Sequence, residues 1–164
     1  MSPVRPDVTE KSLRVLVVGS DRVLEEEVRS ALAGVPGRQG VVTYAEDDRA
    51  AMDAARRRQP SFVVVEIDRD VSDILPLIAD LRELAPEAAI AGAYRPDRLS
   101  NGTGEGSTLI PLFRAEVRDF LRRPVSTTEL RGVLDRLFAT RVASTVPEHG
   151  RVAEIGRASC RERV

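Results

Sequence analysis

The chain has 164 residues and a formal net charge of −1, its acidic and basic side chains interleaved, which suits one domain with a full core plus tails. That balance lacks the positive footprint nucleic acid or an anionic membrane would call for, so neither partner is expected. No apolar run nears the roughly 18 residues of a membrane span and no apolar signal core opens the chain, so a cytoplasmic protein without membrane insertion is expected.

Taken in order, residues 1–11 are polar, with Pro3 and Pro6, and predict a disordered leader. Residues 13–18 predict the first strand, closed by Gly19, Ser20 and Asp21. Leu24, Val28, Ala31 and Leu32 then share one face of a helix. Glu25, Glu26 and Glu27 crowd its first turns, where the helix dipole favours negative charge, and Gly34 and Pro36 end it. Residues 41–45 predict a second strand, and Asp47 or Asp48 caps an alanine-rich helix reaching about Arg58.

Residues 60–68 are the stretch on which the rest is organised. A proline, an unbroken β-branched run and an acidic turn predict a strand buried on both faces, as in the middle of a parallel sheet. It ends in Glu66 and Asp68, and in open α/β sheets the carboxyl ends of the strands form the crevice where ligands sit. A third helix follows, with Ile74, Leu77, Ile78, Leu81 and Leu84 on one face, and Pro76 fits it only in the first turn. Residues 88–94 predict a weak fourth strand, 95–107 a mobile glycine-rich loop, 108–115 a short helix and 117–121 a fifth strand. Ser126 to Glu129 then form a capping box ahead of a helix whose apolar face is Leu130, Val133, Leu134, Leu137 and Phe138. Five strands alternating with five helices predict an α/β fold: a five-stranded parallel sheet, flavodoxin-like, covered on both faces. Its core should include Val15, Val17, Val63, Val65, Leu77, Leu81, Leu134 and Leu137.

Two segments carry a family resemblance. Asp119-Phe120-Leu121-Arg122-Arg123-Pro124-Val125 with its capped helix, and residues 14–28, resemble the last and first units of response-regulator receiver domains, CheY-like folds, over about 12–140. The resemblance implies two acidic Mg²⁺ ligands after the first strand, a phosphorylated aspartate ending the third, a Ser or Thr after the fourth and a lysine after the fifth. Position by position these fall on Gly19 and Ser20, Glu66, Gly92 and Arg123. Only Asp21, one place late, and Glu66 are left as oxygen donors for Mg²⁺, and no metal or other cofactor is expected. A constitutive pair of Glu66 with Arg123 would imitate part of the phosphorylated state.

The same residues carry plainer readings. Glu66 reads equally as a solvated carboxylate at a strand end and Arg123 as a surface charge. Asp68 reads as a turn residue or as a substitute phosphoacceptor, and Asp21 as a helix cap. Arg56 to Arg58 form a solvated face without interleaved aromatics. Gly102 to Gly106 lack the ending of a phosphate cradle. Leu109, Ile110, Leu112 and Phe113 are too many large apolar residues for one helix face, so some should stay exposed as an interaction surface for a protein partner or a homodimer.

Residues 154–164 show no apolar periodicity. Back-translated in one frame they reproduce a common sequencing adapter, so the natural protein is expected to continue past Ala153 and Cys160 is not expected to be a natural residue. Residues 141–153 are then a linker to a missing C-terminal domain. The degenerate receiver, the segment Ala93 to Asp97 and this linker together resemble pilus-assembly ATPases of the CpaE/TadZ type, in which an atypical receiver precedes a ParA/MinD-like ATPase. The resemblance implies a non-catalytic module that regulates or positions that ATPase in pilus assembly or polar localisation. A phosphorelay receiver and a stand-alone flavodoxin-like ligand-binding module are the alternatives.

Overall fold

A computed structural model describes residues 12–99 and 105–144. The expected leader, residues 100–104 of the glycine-rich loop, most of the linker and the adapter-like tail lie outside the described residues. The elements in chain order are β1 (Leu13–Val18), α1 (Arg22–Ala33), β2 (Gly40–Ala45), α2 (Asp48–Arg58), β3 (Phe62–Glu66) and α3 (Val71–Leu84). They continue with β4 (Ala89–Tyr94), the single turn α4 (Pro96–Leu99), α5 (Glu105–Arg114), β5 (Asp119–Arg122) and α6 (Thr127–Ser144).

All strand pairs are parallel and the sheet order is β2-β1-β3-β4-β5. Parallel neighbours require crossovers, and here the helices cover both faces. On one face Leu24, Val28 and Leu32 of α1 and Leu130, Val133 and Leu134 of α6 pack on Val15, Val17 and Val64. On the other, Ala51 of α2, Ile78 and Leu81 of α3 and Leu112 of α5 pack on Leu16, Val63 and Val65. Every residue of β3 is buried, as its unbroken apolar run requires, and all eight expected core residues are buried. The chain reverses direction across the sheet at β1, so the crevice of this open sheet lies beyond the carboxyl ends of β1 and β3. Among the described residues no helix is long and apolar enough to cross a membrane.

Three local expectations are corrected. Pro76 does not lie in the first turn of α3, because the Asp70 carboxylate accepts from the Ser72 amide and hydroxyl and fixes the helix start at Val71. Pro76 and Ser72 are both exposed, so the helical bond a proline cannot make is lost on the solvent side. The capping box of α6 is only half formed. The Ser126 hydroxyl accepts from the Glu129 amide at 3.2 Å, but the Glu129 carboxylate accepts from the Arg122 amide at 2.8 Å. Finally β5 begins at Asp119 rather than 117, because the Val117 amide is taken by the Leu112 carbonyl closing α5 and Glu116 holds a positive φ of 67°.

Candidate functional site

The crevice is built from four connections that the parallel sheet brings to one edge. After β1, Asp21 caps α1, its Oδ1 accepting from the Val23 amide at 2.6 Å. Beside it the Ser20 amide and hydroxyl donate to Glu66 Oε2 at 2.8 and 2.9 Å. The other oxygen, Glu66 Oε1, accepts from Arg123 Nη1 at 2.7 Å. Neither Glu66 nor Arg123 is a solvated surface charge: the two residues are 8% and 4% exposed, so their pairing takes place out of water.

Arg123 makes further contacts. Its Nε and Nη2 fork onto the Glu27 carboxylate at 3.2 and 3.1 Å, and Nη2 also reaches Asp21 Oδ2 at 3.3 Å. Glu27 Oε2 accepts from the Val125 amide at 3.1 Å, tying α1 to the start of α6. A planar five-donor guanidinium can fork onto one carboxylate and still reach others, a geometry that a compact three-donor ammonium does not match. Burial pulls the Arg123 pKa down, but the hydrogen bond and charge of Glu27, with Glu66 and Asp21, outweigh it and raise the value above normal.

A second guanidinium closes the edge. Arg95 follows β4; its amide donates to Asp68 Oδ1 at 2.9 Å, its Nη2 to Asp21 Oδ2 at 2.5 Å, and its Nε lies 3.9 Å from Asp68 Oδ2. Desolvation pushes Asp21 up, yet the Val23 amide, Arg123 and Arg95 together bring its pKa below the usual carboxylate value. Asp68 goes the other way: burial, helped by the Glu66 charge, raises it despite the Arg95 amide and the two arginines. Tyr44 donates to the Gly19 carbonyl at 2.7 Å, and burial, with Glu46 nearby, raises its pKa.

Gly19 explains how the longer glutamate fits. A Cβ there would sit 3.1 Å from Glu66 Oε2 and 3.2 Å from Glu66 Cβ, so the arm of Glu66 fills the space a side chain at position 19 would need.

No protein-family model matches the sequence, and no curated protein matches it. Solved structures do match. The receiver domain of AraT, a response regulator from Geobacillus stearothermophilus, superposes with a TM-score of 0.63 at 21% identity, covering 80% of this chain and 97% of that one. A response regulator from Thermotoga maritima gives 0.64 at 21%, covering 78% and 98%. The CpaE pilus assembly protein from Burkholderia thailandensis gives 0.60 at 18%, covering 77% and 98%. The fold is that of a receiver domain.

Within this receiver fold the structure brings Ser20, Asp21, Glu66 and Arg123 together, with Gly19 as the space-giving residue. Gly92 does not belong with them. The register pairs Glu66 with Ala93 and Val65 with Gly92, so position 92 faces the opposite side of the sheet, where a Cβ would lie 3.0 Å from Phe120 Cδ1 and 3.3 Å from Ile67 Cδ1. The neighbour of Glu66 on its own face is Ala93, which has no hydroxyl. Leu112 is likewise removed from the interaction face: it is fully buried against the sheet, whereas Ile110 and Phe113 are 52% and 54% exposed and Leu109 is half-buried.

The residues present do not fit a Mg²⁺ ion, which takes one or two carboxylates and keeps several waters. Gly19 and Ser20 offer no carboxylate, and both oxygens of Glu66 are engaged by protein donors. Among the described residues no buried side-chain oxygen or nitrogen lacks a partner, and no three acidic, histidine or cysteine side chains are grouped as a metal would need.

Proposed function

We propose that this chain is a pseudo-receiver: a non-catalytic module that regulates or positions a C-terminal ParA/MinD-like ATPase in pilus assembly or polar localisation, in the cytoplasm. The observation that carries it is the buried Glu66–Arg123 pair at 2.7 Å. A phosphoacceptor needs a carboxylate oxygen free to attack phosphorus, and here one oxygen faces a guanidinium and the other two Ser20 donors. A permanent anion held by a permanent cation gives a fixed conformation where a working receiver has a switched one. The likeness to CpaE, which is one of fold, supports the choice of output.

In this reading the domain acts by contact. Ile110 and Phe113 leave an apolar surface on α5, available for docking onto the ATPase or for a homodimer. The test of the output is the natural coding sequence beyond Ala153. A strand followed by a Lys-Gly-Gly-x-Gly-Lys-Thr type P-loop supports the reading, and a winged-helix segment defeats it.

A further inference from the structure

The misfit between this crevice and a divalent cation has a specific cause. We infer that Arg95 is a resident counter-cation: beside Arg123, which takes the lysine position, its guanidinium supplies the positive charge that a receiver crevice otherwise takes from a dissociable metal, and it makes the domain indifferent to Mg²⁺. Both guanidiniums converge on a single oxygen, Asp21 Oδ2, at 2.5 Å from Arg95 and 3.3 Å from Arg123. Arg123 is spent on Glu66 and Glu27 and is buried. Arg95 is the one that spans the crevice mouth, from Asp21 after β1 to Asp68 after β3, through both its backbone amide and its side chain.

The charge balance makes the role of Arg95 necessary. Asp21, Glu27, Glu66 and Asp68 contribute four carboxylates against two guanidiniums. Without the Arg95 side chain, Asp21 would keep, among the described residues, only Arg123 as a cationic partner and Asp68 would lose its guanidinium contact to this connection, leaving four carboxylates in the crevice against one guanidinium. A guanidinium stays charged at any accessible pH and, being covalently attached, never dissociates. Burial first, and the Glu66 charge after it, hold the Asp68 pKa above its ordinary value although the Arg95 amide and guanidinium act to lower it. Arg95 also ties the β4–α4 connection to the β1–α1 and β3–α3 connections, so the three are coupled through one residue.

This deepens the pseudo-receiver reading and rests on it for the claim that the crevice holds one state. The experiment is a thermal melt of the whole chain in MgCl₂ against NaCl at matched ionic strength, for wild type, Arg95→Met and Arg95→Met/Asp21→Asn. The wild-type midpoint should show no Mg²⁺-specific shift. Arg95→Met should melt lower in NaCl and regain stability as Mg²⁺ is added, rising with the logarithm of its concentration above the dissociation constant, because an ion that binds only the folded state stabilises it by mass action. The double variant should lose that response. A Mg²⁺-specific shift in the wild type, or its absence in Arg95→Met, overturns the inference. If Arg95→Met does not fold in NaCl, Arg95→Gln is judged by the same criterion. Loss of packing alone would lower the midpoint without creating a Mg²⁺ response. The two readings fail separately, since a phosphoryl adduct on the wild type defeats the pseudo-receiver whatever Arg95 does.

Discussion

Removing Arg123 should be among the most costly single changes in the crevice. Arg123→Met keeps the stem and deletes the guanidinium, leaving Glu66, Glu27 and Asp21 without the partner that lies 2.7, 3.1 and 3.3 Å from them. With charge centres about 4 Å apart and an effective dielectric near 20, each attraction is on the order of 4 kcal/mol, and the desolvation of the buried groups offsets much of the total. Breaking a buried pair by removing one partner typically costs about 3–5 kcal/mol. That range applies here because the Glu66 and Glu27 side chains are only 10% and 16% exposed, so water cannot take over freely. Asp21, more exposed and also held by Arg95, adds least. Arg123→Lys retains the charge but cannot fork onto Glu27 while reaching Glu66, and should lose roughly 1–3 kcal/mol. Urea unfolding followed by circular dichroism, with an unchanged m-value, measures both. A loss below about 1 kcal/mol for Arg123→Met would refute the pairing argument, and equal losses for Met and Lys would show that fit, not charge, is what matters.

Four further outcomes follow from the same structure. Gly19→Ala should destabilise by about 1–3 kcal/mol through crowding of Glu66, and the shorter acid in Gly19→Ala/Glu66→Asp should recover part of that; additive losses in the double variant would exclude the steric coupling. Leu81→Ala, fully buried between α3 and the sheet, should cost about 2–5 kcal/mol by denaturation, and a loss under half a kcal/mol would mean the α3 register is wrong. In stability measured against pH, the two aspartates should have opposite signs. Asp21, lowered by folding, contributes stability above the ordinary carboxylate value that is lost as pH falls through its depressed value, so the cost of Asp21→Asn should shrink in acid. Asp68, raised by folding, costs stability once ionised, so any benefit of Asp68→Asn should appear only as pH rises past the ordinary value toward the raised one. For self-association, Ile110→Asp is the informative change, since Leu112 is core: sedimentation should show a weaker dimer, and a wild-type monomer unaffected by the change removes the homodimer.

What the sequence made legible was everything governed by local pattern. The apolar run of β3 and the period of α1 and α6 specify buried faces by themselves, and Asp21, Asp47 and Ser126 act as the caps their neighbours suggest. The crevice was legible at Glu66 and Asp68, at the end of the central strand, and where a family motif marked it. Local pattern marks Glu27 only as a helix-dipole residue and Arg95 only as the start of a loop within the family-like segment Ala93 to Asp97, because their partners lie 96 positions away for Glu27–Arg123 and 74 for Arg95–Asp21. A basic residue directly after a strand, facing an acidic turn two strands away, is the one signal that could have found Arg95. Gly92 was misplaced for a different reason. β4 is a run of small residues, Ala89 to Ala93 with one isoleucine, and such a strand offers no size alternation to reveal which side chains face the crevice. Its parity became clear only from the pairing of Ala93 with Glu66.

Whether this crevice has given up phosphoryl transfer is decided by incubating the chain with acetyl phosphate and Mg²⁺ and recording its intact mass. The Glu66–Arg123 pair predicts an unchanged mass, both for the wild type and for Asp68→Asn. A stable single phosphoryl adduct on the wild type, lost in Asp68→Asn or Asp21→Asn, would contradict the pseudo-receiver and return the chain to the phosphorelay.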